Sequence, residues 1–321
     1  MDRVTPSAFH QGEQAAQERV GVRDKMAPIS QRVFRDFMPE QHRELFTRLP
    51  YLVVGGLDGE HQPWASLLFG DPGFITSPDA RQLRISARPR PEDPLASLLT
   101  VEAPVGLLGI ELATRRRNRA NGRIAQVDDG GFSVAIEQSF GNCPKYIQAR
   151  MPDTTTPYPA SDTPSAGRRS DRLDRTTAAI VDRADTLFIA SAHPASDERG
   201  MANQGVDVSH RGGPPGFVQA EADGRHLALP DYAGNFFFNT LGNLLLNPRA
   251  GLVVPDFASG DLLVIATDAR IDWQATDDRR FPGAQRLVRL AIREVTHLER
   301  AMPWRWSGPE PSPYLPSMAR Y

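Results

Sequence analysis

The chain has 321 residues, 40% hydrophobic and 24% charged, with 37 basic and 39 acidic side chains and a net charge of −2. That balance excludes a general electrostatic pull toward nucleic acid or an anionic membrane, so any basic site has to be local. A single cysteine, Cys143, excludes an intrachain disulfide and a cysteine-based metal site, and no apolar run approaches the roughly 20 residues that span a bilayer.

The length suits two domains. The opening stretch MDRVTPSAFHQGEQAAQERVG lacks the apolar core of a secretory signal, so a cytoplasmic protein is expected. Residues 10–48 space Val33, Phe34, Phe37, Leu45, Phe46 and Leu49 in a broadly helical pattern, with Pro28 and Pro39 as breaks; two or three short helices are expected. LPYLVVGGL at 49–57 then reads as a strand. SLLFGDPGFI follows at 66–75, and SPDARQLRIS at 77–86 reads as a turn and a further strand. LASLLTVEAPVGLLGI at 95–110 reads as a helix with a proline-marked turn, RNRANGRI at 117–124 as a strand, and FSVAIEQSFGNCPKYIQ as a strand with a helical end.

Residues 150–177 are rich in Pro, Ser, Thr and Asp and poor in large apolar side chains, which is linker composition. Beyond it the same order returns. ADTLFIASA at 184–192 is a strand, and SHRGGPPGFV at 209–218 matches SLLFGDPGFI. EADGRHLALP carries the Asp223-Gly224 turn pair, and LGNLLLNPRAGLVVPD, LVIATDARI and RLVRLAIREVTHLERAM complete the series. Five matches in one order imply an internal duplication of about 110 to 120 residues. Short strands with few crossover helices suggest a small antiparallel barrel per repeat, since closure removes sticky edges. The expected divisions are a helical extension at 1–39, a first repeat at 40–150, a linker at 151–176, a second repeat at 177–303 and a tail at 304–321.

Two segments carry chemistry. In PDYAGNFFFNTLGNLLLNPRAGLVV, residues 230–254, Phe237, Leu241, Leu244 and Leu245 share a helical face and Pro248 helps stop the helix. Asn235 or Asn239 is the expected cap, and Thr240 adds a hydroxyl to the free N–H groups of the first turn, a ready phosphate site. His210 and Arg211 on the preceding strand supply cationic donors beside Ser209. Such residues also serve as ordinary caps and strand ends, so both readings stay open at this point. In TRRRNR, residues 114–119, strand alternation puts Arg115, Arg117 and Arg119 on one face and Arg116 and Asn118 on the other. A cluster this dense needs an anion, or solvent and acids such as Asp128 and Asp129, to relieve it. Cys143, followed by Pro144, sits at an expected helix start, where a thiol is either activated or buried and inert.

The segment LALPDYAGNFFFNTLGNLLLNPRAGLVVPD, with SHRGGPPGFV before it and RRRNRANGRI and FGNCPKYIQ in the first half, resembles the pyridoxamine 5′-phosphate oxidase-like, FMN-binding split barrels, in particular a long two-repeat branch. The resemblance spans roughly residues 8–150 and 177–300. It implies a mainly β fold with flanking helices: tandem six-stranded Greek-key split β-barrels forming an intrachain pseudo-dimer, with FMN in the cleft between them. It implies cofactor contacts from Ser209, His210, Arg211, Asn235, Asn239 and Thr240, and from Arg116, Arg117 and Asn118 across the cleft. His210 and Arg211 have Leu67 and Leu68 at the matching places in the first repeat, so the second repeat is expected to hold the main half-site.

Trp304 and Trp306 are expected either against the flavin ring or packed on a barrel. The tail lacks the Arg-x-His arrangement of true pyridoxamine phosphate oxidases, so that activity is not expected. No GxGxxG, HExxH, GxSxG or Walker motif appears. The leading expectation is an FMN-dependent oxidoreductase with a small-molecule substrate, NAD(P)H as electron donor and no metal, nucleic-acid or membrane partner; a homodimer stays open. The alternatives are a non-catalytic flavin- or haem-binding carrier or sensor, and a scaffold.

Overall fold

The computed structural model describes residues 8–158, 167–196, 198, 202–274 and 280–315. Three helices come first: α1 (Gln11–Arg19), α2 (Arg23–Val33) and α3 (Glu40–Arg48). A capping box starts α1, with His10 Nδ1 accepting from the Gly12 N–H and Glu13 accepting from the His10 N–H. Pro39 caps α3 as a break should, but Pro28 lies inside α2.

The first sheet contains β1 (Tyr51–Leu57), β2 (Pro63–Phe69), β3 (Ile75–Thr76), β4 (Gln82–Ile85), β5 (Pro104–Glu111), β6 (Arg116–Asp128) and β7 (Gly131–Gly141), in the order β2-β1-β5-β6-β7-β4-β3. Two short strands, β8 (Pro152–Pro157) and β9 (Arg168–Ser170), precede α4 (Arg175–Arg183). The second sheet contains β10 (Thr186–Ala192), β11 (Val206–Gly212), β12 (Gln219–Ala220), β13 (His226–Asp231), β14 (Arg249–Asp256), β15 (Asp261–Asp272) and β16 (Arg286–Leu298); α5 (Asn239–Leu246) lies between β13 and β14. Its order is β11-β10-β14-β15-β16-β13-β12. Strand for strand, the two orders are the same. All the pairings are antiparallel, and β4, β5, β6 and β7 lie as β4-β7-β6-β5, a Greek key. β17 (Trp304–Trp306) pairs with β8, and β9 pairs with β16, so both ends of the expected linker add strands.

Each sheet curls round its own core. Leu52, Val54, Ile75, Leu83, Leu107 and Val134 meet in the first; Ile189, Val218, Leu227, Leu252, Ile265 and Leu290 meet in the second. A third cluster joins them: Val53, Ala65, Leu108, Phe188, Val208 and Val253 are buried between the barrels. The contact is reciprocal. β2 packs on β10 and β14, while the equivalent β11 packs on β1 and β5, which is the pattern of a twofold pair. Two glycines at equivalent register set the approach. Gly106 lies opposite Gly55 and Gly251 opposite Ala190. A Cβ on Gly106 would sit 2.6 Å from the Val206 carbonyl oxygen, and one on Gly251 would overlap the Pro63 carbonyl.

The SLLFGDPGFI and SHRGGPPGFV segments occupy matching places. Ser66 lies opposite Val54, which faces Leu107; Ser209 lies opposite Ile189, which faces Leu252. Gly73 and Gly216 both turn with positive φ, at 92° and 79°, where a side chain would be strained.

Three expectations are corrected. The segment at 95–103 forms only a 3-10 turn, Pro94–Ser97, because Asp93 caps Leu95 and the chain must straighten for β5 at Pro104. Among the described residues no helix directly follows β7 or β16; Tyr146 takes φ 65°, which a right-handed helix does not allow. On α5, Leu241 and Leu244 are buried in the second core, but Leu245 is exposed, and Phe237 packs with Phe9, Phe34 and Phe140 outside that core.

Candidate functional site

A cleft opens where the barrels meet. β6 of the first sheet and the loop after β7 form one wall; β11, the end of β13 and the loop leading into α5 form the other. The residues at its floor are buried and polar, so each needs a partner.

Arg119 is 2% exposed. Its Nη1 donates to Asp207 Oδ1 at 2.7 Å, its Nη2 donates to Ser209 Oγ, and its guanidinium lies 5.0 Å from the Phe140 ring centroid. Asp207 is further held by Asn121 Nδ2 at 2.8 Å and Asn243 Nδ2 at 3.0 Å. Thr240, in the first turn of α5, donates to Ser209 Oγ at 3.2 Å. Ser209 thus accepts from two groups, and its own hydroxyl proton is left to donate. Arg117 Nη1 lies 3.1 Å from His210 Nδ1, and Arg117 Nε donates to the Cys143 carbonyl at 2.9 Å. A guanidinium only donates, so His210 Nδ1 accepts and Nε2 carries the proton. Arg211 approaches Asp231 at 3.7 Å, and Arg286 reaches the same carboxylate at 3.6 Å.

Burial and neighbouring charge shift these groups. Burial, then the charges of Arg117 and Arg211, hold the His210 imidazole well below its usual value, so it is neutral at pH 7. Burial pushes the Arg117 guanidinium down to about 10, with Arg211 and Arg119 adding to the effect against support from Cys143. Burial pushes the Asp231 carboxyl up, against Arg211 and Arg286. Three cleft-lining atoms are buried with no partner in the protein: His210 Nε2, Arg119 Nε and Asn142 Nδ2. All three are donors. A floor with surplus buried donors and several cations fits a ligand rich in acceptors and negatively charged.

The start of α5 adds to this. Its N-cap is Phe238 at φ 60°, with no side-chain cap. Asn235 is not the cap: its Oδ1 accepts from the Phe237 N–H. Nor is Asn239, whose amide donates to the buried Glu13 of α1. Burial, then the charge of Asp207, pushes the Glu13 carboxyl well above its usual range. Helix α1 crosses α5 closely, Gly12 against Gly242, where a Cβ on either would clash.

Of the nine residues expected to hold a cofactor, Ser209, His210, Arg211, Asn235, Asn239, Thr240 and Arg117 line this one cleft. Arg116 and Asn118 do not. Arg116 donates to the Gln41 carbonyl on the outer face, and Asn118 is buried beside Gly141. The physical reason is strand alternation: Arg117 and Arg119 share the cleft face of β6, and their neighbours point away. Arg119 belongs to the site, and its parity with Arg117 is the signal that finds it. Asp207 has the same parity relative to Ser209. Asn142, Lys145, Tyr146 and Tyr232 line the cleft without any sequence signal. Cys143 lines it from a loop, not a helix start. Trp306 stacks edge-on against Tyr51 and Phe257, and Trp304 against Phe69, so both pack on the barrels.

No family model matches the chain, and no curated protein matches it. Among solved structures, a "putative pyridoxamine 5′-phosphate oxidase" from Lactobacillus delbrueckii is 16% identical, covering 40% of this chain and 97% of its own, with a TM-score of 0.30. An FAD-binding protein from Mesorhizobium loti is 15% identical, covering 41% and 97%, with a TM-score of 0.25. The heme storage protein HutZ from Vibrio cholerae is 11% identical, covering 44% and 99%, with a TM-score of 0.25. Among the described residues no helix is long and apolar enough to cross a membrane. By its own strand order the chain is a tandem pair of split β-barrels, and its structural neighbours include the pyridoxamine 5′-phosphate oxidase-like proteins that its motifs resemble.

Proposed function

We propose that the cleft binds the phosphate of FMN and that the chain is an FMN-dependent oxidoreductase acting on a small molecule. The observation that supports this most is the donor surplus at the floor, where His210 Nε2, Arg119 Nε and Asn142 Nδ2 have no protein acceptor. A phosphate near its dianionic form supplies acceptors and charge together; stripping its water is costly unless several donors replace it. Arg119, Ser209, Thr240 and the uncapped first turn of α5 would hold that phosphate. Asp207 fixes the orientation of Arg119, and Arg117 fixes the His210 tautomer. When bound, FMN supplies the redox chemistry, which is the cofactor's own. No protein general base is assigned.

The same reading takes NAD(P)H as electron donor and a cytoplasmic location. It treats the chain as an internal duplication with repeats at 40–150 and 177–303, which the shared strand order supports. Purified protein tests it. A flavin absorption band that bleaches with NADH or NADPH and returns in air is the expected result. Protein that stays colourless after incubation with FMN refutes the cofactor, and a flavin that no reductant bleaches refutes the enzyme. The carrier reading, with haem in place of flavin, would need His210 Nε2 to give up the proton that the Arg117 contact assigns to it before it could bind an iron. A Soret band in place of the flavin band decides for it.

A further inference from the structure

The cleft has a counterpart across the approximate twofold, and strand register identifies its residues. Ser66, Leu67 and Leu68 stand where Ser209, His210 and Arg211 stand. Arg119 lies opposite Leu108 and Arg117 opposite Ile110; in the second sheet the matching places are Val264, opposite Val253, and Leu262, opposite Pro255. Four basic side chains of one cleft are therefore apolar in the other. Leu67, Leu68 and Leu262 line the counterpart, with Phe69 and Trp304 in edge contact at 5.9 Å.

The serine alone is kept, and its partner differs. Ser66 Oγ donates to Asp93 Oδ2, while Asp93 Oδ1 accepts from the Leu95 N–H at 2.8 Å. Asp93 is 4% exposed. It takes a serine hydroxyl and a backbone N–H of the following turn, the same donor types that converge between Ser209 and α5. The arginines at the rim are engaged elsewhere: Arg88 donates to the Asp128 carbonyl, and Arg90 to those of Glu299 and Arg300.

We infer that the chain holds one phosphorylated ligand and not two, because in the counterpart cleft the carboxylate of Asp93 stands where a phosphate would and the basic residues are replaced by leucine and valine. This rests on reading the open cleft as a phosphate site, and its test separates the two. FMN counted by equilibrium dialysis should saturate at one per chain. Two per chain overturns the inference and leaves the flavin reading standing.

Inorganic phosphate gives the arm that does not depend on flavin. It should raise the melting temperature of the native chain, and Arg119→Gln, or Ser209→Ala if the first does not fold, should abolish the rise. A rise that survives in either variant, or none in the native chain, overturns the inference. No FMN binding with the phosphate response intact refutes FMN and upholds the single anion site. Asp93→Asn, which keeps an acceptor for Leu95, should leave the native behaviour unchanged. Asp93→Ser, which vacates the place but leaves the four apolar residues, should add no phosphate response; a response that persists alongside Arg119→Gln would overturn the role given to the apolar replacements.

Discussion

Arg119 belongs to the first barrel and Asp207 to the second, so Asp207→Asn tests both the joint and the site. The pair is sealed: the two side chains are 2% and 10% exposed and meet at 2.7 Å. Removing the charge of Asp207 leaves the Arg119 guanidinium buried without its counter-ion, a change that costs about 3 to 5 kcal/mol. The new amide also brings a donor against Asn121 and Asn243, each of which now donates to the carboxylate. An exposed pair would give only about 0.2 to 1 kcal/mol. The assay is urea unfolding followed by far-UV circular dichroism and tryptophan fluorescence together, because a two-barrel chain need not unfold in one step. Arg119→Met with Asp207→Leu should recover only part of the loss, since an apolar pair of similar volume is often neutral in such a place but Asn121 and Asn243 lose the Asp207 acceptor. A loss below about 1 kcal/mol for Asp207→Asn would show that water reaches the pair, and the sealed joint would be refuted.

Gly106→Ala and Gly251→Ala should each destabilise the chain by about 1 to 3 kcal/mol by forcing the barrels apart, while Gly59→Ala, which meets open space, should be near neutral in the same unfolding assay. Thr240→Val should weaken FMN binding by about 0.5 to 1.5 kcal/mol, one hydrogen bond, and leave riboflavin unchanged; equal losses in parallel titrations would place Thr240 away from the phosphate. His210 has a folded-state pKa below its unfolded value, so its stabilisation is full above about pH 6.5 and is lost as pH falls from there. His210→Gln should flatten the fall in stability between about pH 6.5 and 5, where one such group contributes at most about 1.4 kcal/mol per pH unit; an unchanged slope would mean that His210 titrates normally.

The fold was legible where physics is local. Gly73 and Gly216 had to be turns because each takes a positive φ that favours glycine, and the alternating apolar runs on either side had to be strands. The N-terminal helices announced themselves by period. Legibility failed where one residue decides between neighbouring outcomes. Leu95 to Glu102 has helical composition, yet Asp93 closes a single 3-10 turn and β5 claims the chain after it. At Asn235 and Asn239 the residue type was right for a cap, but Glu13 on a helix more than 200 residues earlier takes the Asn239 amide instead.

The site divides the same way. Alternation along β6 is a local rule, and applied strictly it selects Arg117 and Arg119 over Arg116 and Asn118. What no stretch of sequence could display is the partner of each. Arg119 is tolerable inside the protein because Asp207 balances its charge while Asn121 and Asn243 donate to Asp207 and hold it in place, and those residues come from β11, β6 and α5. The same distance explains how the two clefts can differ while the barrels share one strand order. Strand order depends on pattern, which Leu67 or Leu262 satisfies as well as His210 or Arg117 does in its own place. A phosphate site would depend on donors that converge from both barrels, and each apolar side chain at those places weakens it without disturbing the fold.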